Sequence, residues 1–65
     1  MKVAEARDLL IENNIKSVIP IRHGSGLIKF IIHDPNRKQM IEQLKSIFPE
    51  IITDESMGMT NLYHK

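Results

Sequence analysis

Cysteine and tryptophan are absent, and only Phe30, Phe48 and Tyr63 carry aromatic rings beyond the histidines. Without thiols the chain has no disulfide and no thiolate zinc site, so its fold rests on packing alone. With Phe30 and Phe48 expected in the core, Tyr63 alone is left to stack on a nucleobase. An excess of one charge sign is also missing. Nine Lys and Arg stand against eight Asp and Glu, a net charge of +1, which argues against a dedicated non-specific nucleic-acid binder. No apolar run approaches the roughly 20 residues that span a bilayer. The opening Met1-Lys2-Val3-Ala4-Glu5 has an early acid and no apolar segment, unlike a secretory signal. The expectation is a complete, cytoplasmic gene product with no membrane partner.

What is present fits one globular domain over residues 1–65. The apolar fraction is 42% and the charged fraction 26%, ordinary values that argue against disorder. A domain of this length buries only about 60% of its unfolded surface, so self-association is one source of added stability.

Val3, Ala6, Leu9, Leu10 and Asn13 fall at helical spacing and predict a first helix over Val3 to Asn13. Asn13-Asn14 supplies a residue type that tolerates the left-handed conformation at its end. Two β-branched runs, around Val18-Ile19-Pro20-Ile21 and Leu27 to Ile32, flank His23-Gly24-Ser25-Gly26. A two-residue type II′ turn at Gly24-Ser25 predicts a hairpin with Arg22 opposite Leu27 and Ile19 opposite Phe30. In that register Ile19, Ile21, Ile28, Phe30 and Ile32 form one apolar face. Lys16, Val18, Pro20, Arg22, Leu27, Lys29, Ile31 and His33 form the other, mixed and basic. Pro20 cannot donate to a ladder and puts its strand on an edge or beside a bulge.

Asp34-Pro35 reads as an N-cap and first helical position for a second helix over Arg37 to Phe48, ended by Pro49. Ile51-Ile52-Thr53 predicts a third strand and Asp54-Glu55-Ser56 a turn. Residues 56–65 fit either a last strand or a flexible tail. The fold class is α+β: a two-layer sandwich, order α-β-β-α-β(-β), with two helices on one face of a small mixed sheet.

Candidate chemistry is sparse. In the predicted hairpin His23 and His33 lie at opposite ends, roughly 24 Å apart at strand rise, whereas ligands must sit about 2 Å from one ion. No metal site is expected, and no cofactor. His23-Gly24-Ser25-Gly26 lacks the following helix that a phosphate loop needs, and Ser25 has no base or oxyanion partner for a nucleophile. Asp34, Asp54 and Glu55 are accounted for as cap and turn residues. No catalytic residue and no small-molecule substrate are expected.

The candidate site is the open sheet face, where Lys16, Arg22, Lys29 and His33 interleave with Val18, Leu27 and Ile31, near Arg37 and Lys38 at the start of the second helix. A mixed basic and aliphatic surface suits a protein partner or self-association. Nucleic-acid binding through the basic hairpin is the alternative. The basic glycine–serine hairpin between helices resembles small double-stranded-RNA-binding-like folds. Those run helix, three strands, helix, whereas here the second helix follows two strands, and no residue role is carried over. The expected function is a non-catalytic interaction module, a regulator or inhibitor that binds a protein partner through this face or through an edge strand.

Overall fold

The computed structural model of the chain describes every residue except Ser25. Its elements are α1 (Val3–Glu12), β1 (Val18–His23), β2 (Leu27–Ile32), α2 (Arg37–Ile47), β3 (Ile52–Ser56) and β4 (Met59–His64). They form an α+β sandwich: two helices packed on one side of a four-stranded sheet of order β1-β2-β4-β3. All neighbouring strands are antiparallel. The mixed sheet predicted above is therefore replaced. β2 and β3 do run the same way across α2, but β4 folds back between them and takes the pairing of both.

The order hides a regularity. β2-α2-β3 is a β-α-β unit split by β4. The chain ends complete a second one: β4, α1 and β1 make a β-α-β arrangement split by β2, with the Met1 ammonium donating to the Lys65 carbonyl at 2.8 Å. A cyclic shift of the elements would read β-α-β-β-α-β, the double split unit.

Local chemistry explains each helix. α1 ends in a full Schellman motif: Asn14 N–H donates to the Ile11 carbonyl and Ile15 N–H to the Leu10 carbonyl, both at 2.9 Å. Asn14 takes φ 57°, a conformation asparagine tolerates. The cap of α2 differs from expectation. Asn36, not Asp34, is the N-cap, its side chain accepting from Gln39 N–H at 3.4 Å. Asp34 lies two residues earlier, where its carboxylate accepts from Asn36 N–H (2.8 Å) and from the Ser17 hydroxyl (2.9 Å), fastening the α2 entry to the β1 entry. Phe48 closes α2 at φ −118° and ψ 85°, outside the helical region that a following proline disfavours.

The core sits between the helices and one sheet face: Ala6 and Leu10 of α1, Met40, Leu44 and Phe48 of the α2 segment, and Val18, Ile28, Phe30 and Leu62 of the sheet. Phe30 and Phe48 stack with ring centroids 4.8 Å apart. Buried His64 lies edge-on to Phe48, its Nδ1 2.8 Å from the Lys65 carbonyl. Each fully buried aliphatic or aromatic side chain here stabilises by about 1.5–3 kcal/mol.

The first hairpin corrects the predicted register by one residue. His23 pairs with Leu27, Arg22 with Ile28, Pro20 with Phe30 and Ile19 with Ile31. Leu27 N–H donates to the Gly24 carbonyl at 3.3 Å and Gly26 takes φ +76°, so the loop spans three positions rather than two. The type II′ turn at Gly24-Ser25 falls partly on Ser25, outside the described residues. The consequence is large, because side chains alternate with period two. Val18 and Pro20 face the helices and are buried; Ile19 and Ile21 face outward and are exposed.

Pro20 sits where proline can. His33 N–H donates to the Ser17 carbonyl at 2.7 Å. Hydrogen-bonded pairs alternate along an antiparallel ladder, so Pro20·Phe30 is a non-bonded pair and the Pro20 nitrogen faces the free edge.

The second hairpin also differs from expectation. Asp54-Glu55-Ser56 is not a turn but the body of β3, whose side chains are all exposed. The reversal is at Met57-Gly58, with φ 53° and 76° between paired Ser56 and Met59, as a type I′ turn requires. Residues 59–64 form a strand, not a tail. Asp54 and Glu55 put charge on this outer edge, which discourages pairing with another strand.

Candidate functional site

Strand alternation and pairing set out the uncovered side of the sheet. One row across it is Ile21, Lys29, Tyr63 and Ile52, which are successive Cα partners on β1, β2, β4 and β3. Beside it lie Ile19 and its partner Ile31, with Asn61 and its partner Asp54 on the other two strands. His23 and its partner Leu27 close one end, and Met59 lies toward the other. Ile19 is 49% exposed, Ile21 40%, Ile52 38% and Met59 57%, around half-buried Leu27, Ile31 and Tyr63.

Lys29 and Asp54 supply one charge of each sign. The His23 and Tyr63 rings meet at 5.2 Å with an interplanar angle of 51°, an arrangement aromatic pairs favour.

The candidate residues divide accordingly. Leu27, Lys29 and Ile31 share the open face. Val18 does not: it is 5% exposed and belongs to the core. Arg22 follows Val18 and Pro20 in alternation and lies on the helix side, exposed where the strand ends, and Lys16 is exposed ahead of β1. His33 is exposed just past β2. The basic face expected from the sequence thus separates, because the added loop residue turns β1 over and replaces Lys16, Val18 and Arg22 with Ile19, Ile21 and His23.

Arg37 has a structural occupation. The β2–β4 ladder extends only over Ile28·His64, Lys29·Tyr63 and Phe30·Leu62. Beyond Phe30 the two strands part. A cavity of about 170 Å³ opens there, walled by Ile31, Ile32, Arg37, Met59 and Asn61 among others. The Arg37 guanidinium reaches into this fork and donates to the Thr60 carbonyl, standing in for a missing strand. Lys38 is exposed on the adjoining rim of an open groove of about 480 Å³, formed by the first turns of α2 and the start of β4, with Ile41 and Met59 as apolar walls.

Sequence reasoning missed Ile19, Ile21, His23, Tyr63 and Ile52 as one surface. The signal for Tyr63 was its alternation with buried Leu62 and His64, and for Ile52 its place next to Ile51, which packs against the core, but strand order was needed to bring them beside Lys29. Among the described residues no group of three or more His, Asp or Glu side chains gathers as a metal site. Among the described residues no helix is long and apolar enough to cross a membrane. In comparisons with known proteins, no family model, no curated protein and no solved structure matches this chain.

Proposed function

We propose that the protein is a non-catalytic interaction module, a regulator or inhibitor that engages a protein partner through its open sheet face. The observation that carries this reading is the exposure of Ile19, Ile21, Ile52 and Met59 on one face, around half-buried Leu27 and Ile31. Isolated exposed aliphatics are ordinary; a contiguous set on one sheet face marks a contact surface. β2, written Leu-Ile-Lys-Phe-Ile-Ile, has the near-continuous apolar run of a strand covered on both sides. Its helix side is covered within this chain, and a partner covers the other.

The balance of charge supports protein over nucleic acid. Among the described residues, Lys29 is the one Lys or Arg that the pairing puts on the open face, and it shares that face with Asp54. A second reading retains one specific observation: the His23–Tyr63 pair beside Lys29 offers a ring surface on which a single-stranded base could stack. Capture of partners on immobilised protein, with and without nuclease, separates the two. Capture that survives nuclease and 0.5 M salt, falls at least tenfold in Ile31→Glu and falls less in Lys29→Glu is the expected result. Loss on nuclease treatment, with Lys29→Glu the more damaging variant, transfers the function to nucleic acid.

A further inference from the structure

We infer that the partner covering the open face is a second copy of this chain, joined face to face by a twofold axis. The inference rests on the open face being an interface and adds the identity of the occupant. The row Ile21–Lys29–Tyr63–Ile52 carries it. Read across the four strands, it is isoleucine, cation, ring, isoleucine. A twofold axis lying between the two sheets, along the strands and midway between β2 and β4, places each β1 over the other copy's β3 and each β2 over its β4. Ile21 of one copy then meets Ile52 of the second, and Lys29 meets Tyr63. Each of these contacts occurs twice, as an isologous interface demands. Lysine over a tyrosine face is a favourable pairing. It also gives a cation in the middle of an aliphatic surface something to do when water leaves.

Charge and size agree with a self-match. Lys29 and Asp54 balance on the face, so two copies meet without net repulsion, and the axis leaves each Asp54 at the rim opposite the other copy's Ile19, one strand over and two residues along from its Lys29. Four strands about 4.8 Å apart and about 19 Å long give a footprint of roughly 19 × 19 Å. That is roughly 360 Å² of flat area per copy, enlarged by side-chain relief, which puts the pair of copies at the low end of interface sizes, where association is weak and reversible. Sheets packed this way lie about 10 Å apart with interleaved side chains. The outer edges are the weaker route to a dimer: Pro20 lacks a donor on β1, and pairing β3 with itself about Asp54 would oppose like charges.

The test is sedimentation equilibrium of the full chain from micromolar to millimolar concentration, with a mixed labelled and unlabelled sample read by isotope-filtered NMR. Expected are a monomer–dimer equilibrium, intermolecular methyl contacts between Ile21 and Ile52, and intermolecular contacts between Lys29 and the Tyr63 ring. Ile21→Glu should be monomeric throughout, and Tyr63→Ala should weaken dimerisation about tenfold, both with the wild-type circular dichroism spectrum. A wild type that stays monomeric at millimolar concentration overturns the inference. So do intermolecular contacts confined to β1 or β3 backbone amides, a reading that needs no variant to fold. If the chain is monomeric while Ile31→Glu still abolishes capture of a different protein, the second copy is wrong and the interface reading stands. If a single-stranded oligonucleotide saturates the face at 0.5 M salt, both fall.

Discussion

The helix side and the open side of the sheet draw on much the same residue types, and they behave differently because of what lies over them. Val18, Ile28, Phe30 and Leu62 point toward the helices and are sealed by Leu10, Leu44 and Phe48. Ile19, Ile21, Ile31 and Ile52 point away and stay in contact with water. β-branched residues suit a pleated strand on either side. The pleat alone therefore does not say which set becomes core. The lesson is that an aliphatic strand residue of this chain acquires its role from the layer above it. On one side that layer is encoded in the same 65 residues; on the other we propose that a second molecule supplies it.

The largest expected effect contrasts neighbours on β2. Phe30→Ala removes a ring packed on Phe48 in the core and should cost about 3–5 kcal/mol, enough to unfold much of a domain this small. Ile31→Ala, one residue on and half-buried, should cost less than about 1.5 kcal/mol in dilute urea titrations. Equal losses at the two positions would mean that the open face is already covered at low concentration, and the contrast between the sides would disappear.

How much of this was legible in the sequence depended on whether competing patterns differed in outcome. Both helices were, because apolar residues recur at helical spacing along each, even with Ile11 of α1 left exposed outside its stripe, and Asn14 announced the end of α1. The hairpin was legible as a hairpin but not in register. Val18/Pro20 and Ile19/Ile21 are both apolar pairs, so the hydrophobic test that normally rejects a slip was nearly degenerate, and the loop length decided it. β3 was obscured because Asp54-Glu55-Ser56 has turn-like composition, yet on an exposed edge strand polar side chains cost nothing; Gly58 was the overlooked turn signal. Of the candidate face, Leu27, Lys29 and Ile31 followed from alternation within one strand. The row through Tyr63 and Ile52 required knowing that β4 inserts between β2 and β3, a long-range choice no local spacing records.

A smaller effect is expected where the two sides meet. Arg37 donates to the Thr60 carbonyl at the fork between β2 and β4, so Arg37→Met keeps the apolar stem and removes the donor. A part-buried carbonyl left without its charged partner should cost about 1–3 kcal/mol. Amide exchange should quicken around Thr60 and Asn61, leaving Ile28 to Phe30 protected. Wild-type exchange at Thr60 and Asn61 in the variant would show that the strands hold the fork unaided, and that Arg37 is free to serve the neighbouring groove.

The smallest effect tests the loop that assigns β1 to its sides. A Cβ built at Gly24 or Gly26 meets no atom within 4 Å, so neither position is crowded. They differ in backbone: Gly26 has φ +76°, while Gly24 is not among the residues with positive φ. Gly26→Ala therefore forces an L-residue into the left-handed region, at about 1–2 kcal/mol. Gly24→Ala meets no such penalty and, by narrowing the unfolded ensemble, should be neutral or stabilising by about 0.4–1 kcal/mol. A two-residue type II′ turn at Gly24-Ser25 demands the reverse, since it needs positive φ at Gly24. Two urea melts thus discriminate between the registers without a labelled sample. If Gly24→Ala is the damaging change, Ile19 and Ile21 return to the helix side, Val18 and Arg22 move to the open one, and the isoleucine–lysine–tyrosine–isoleucine row is broken at its first member.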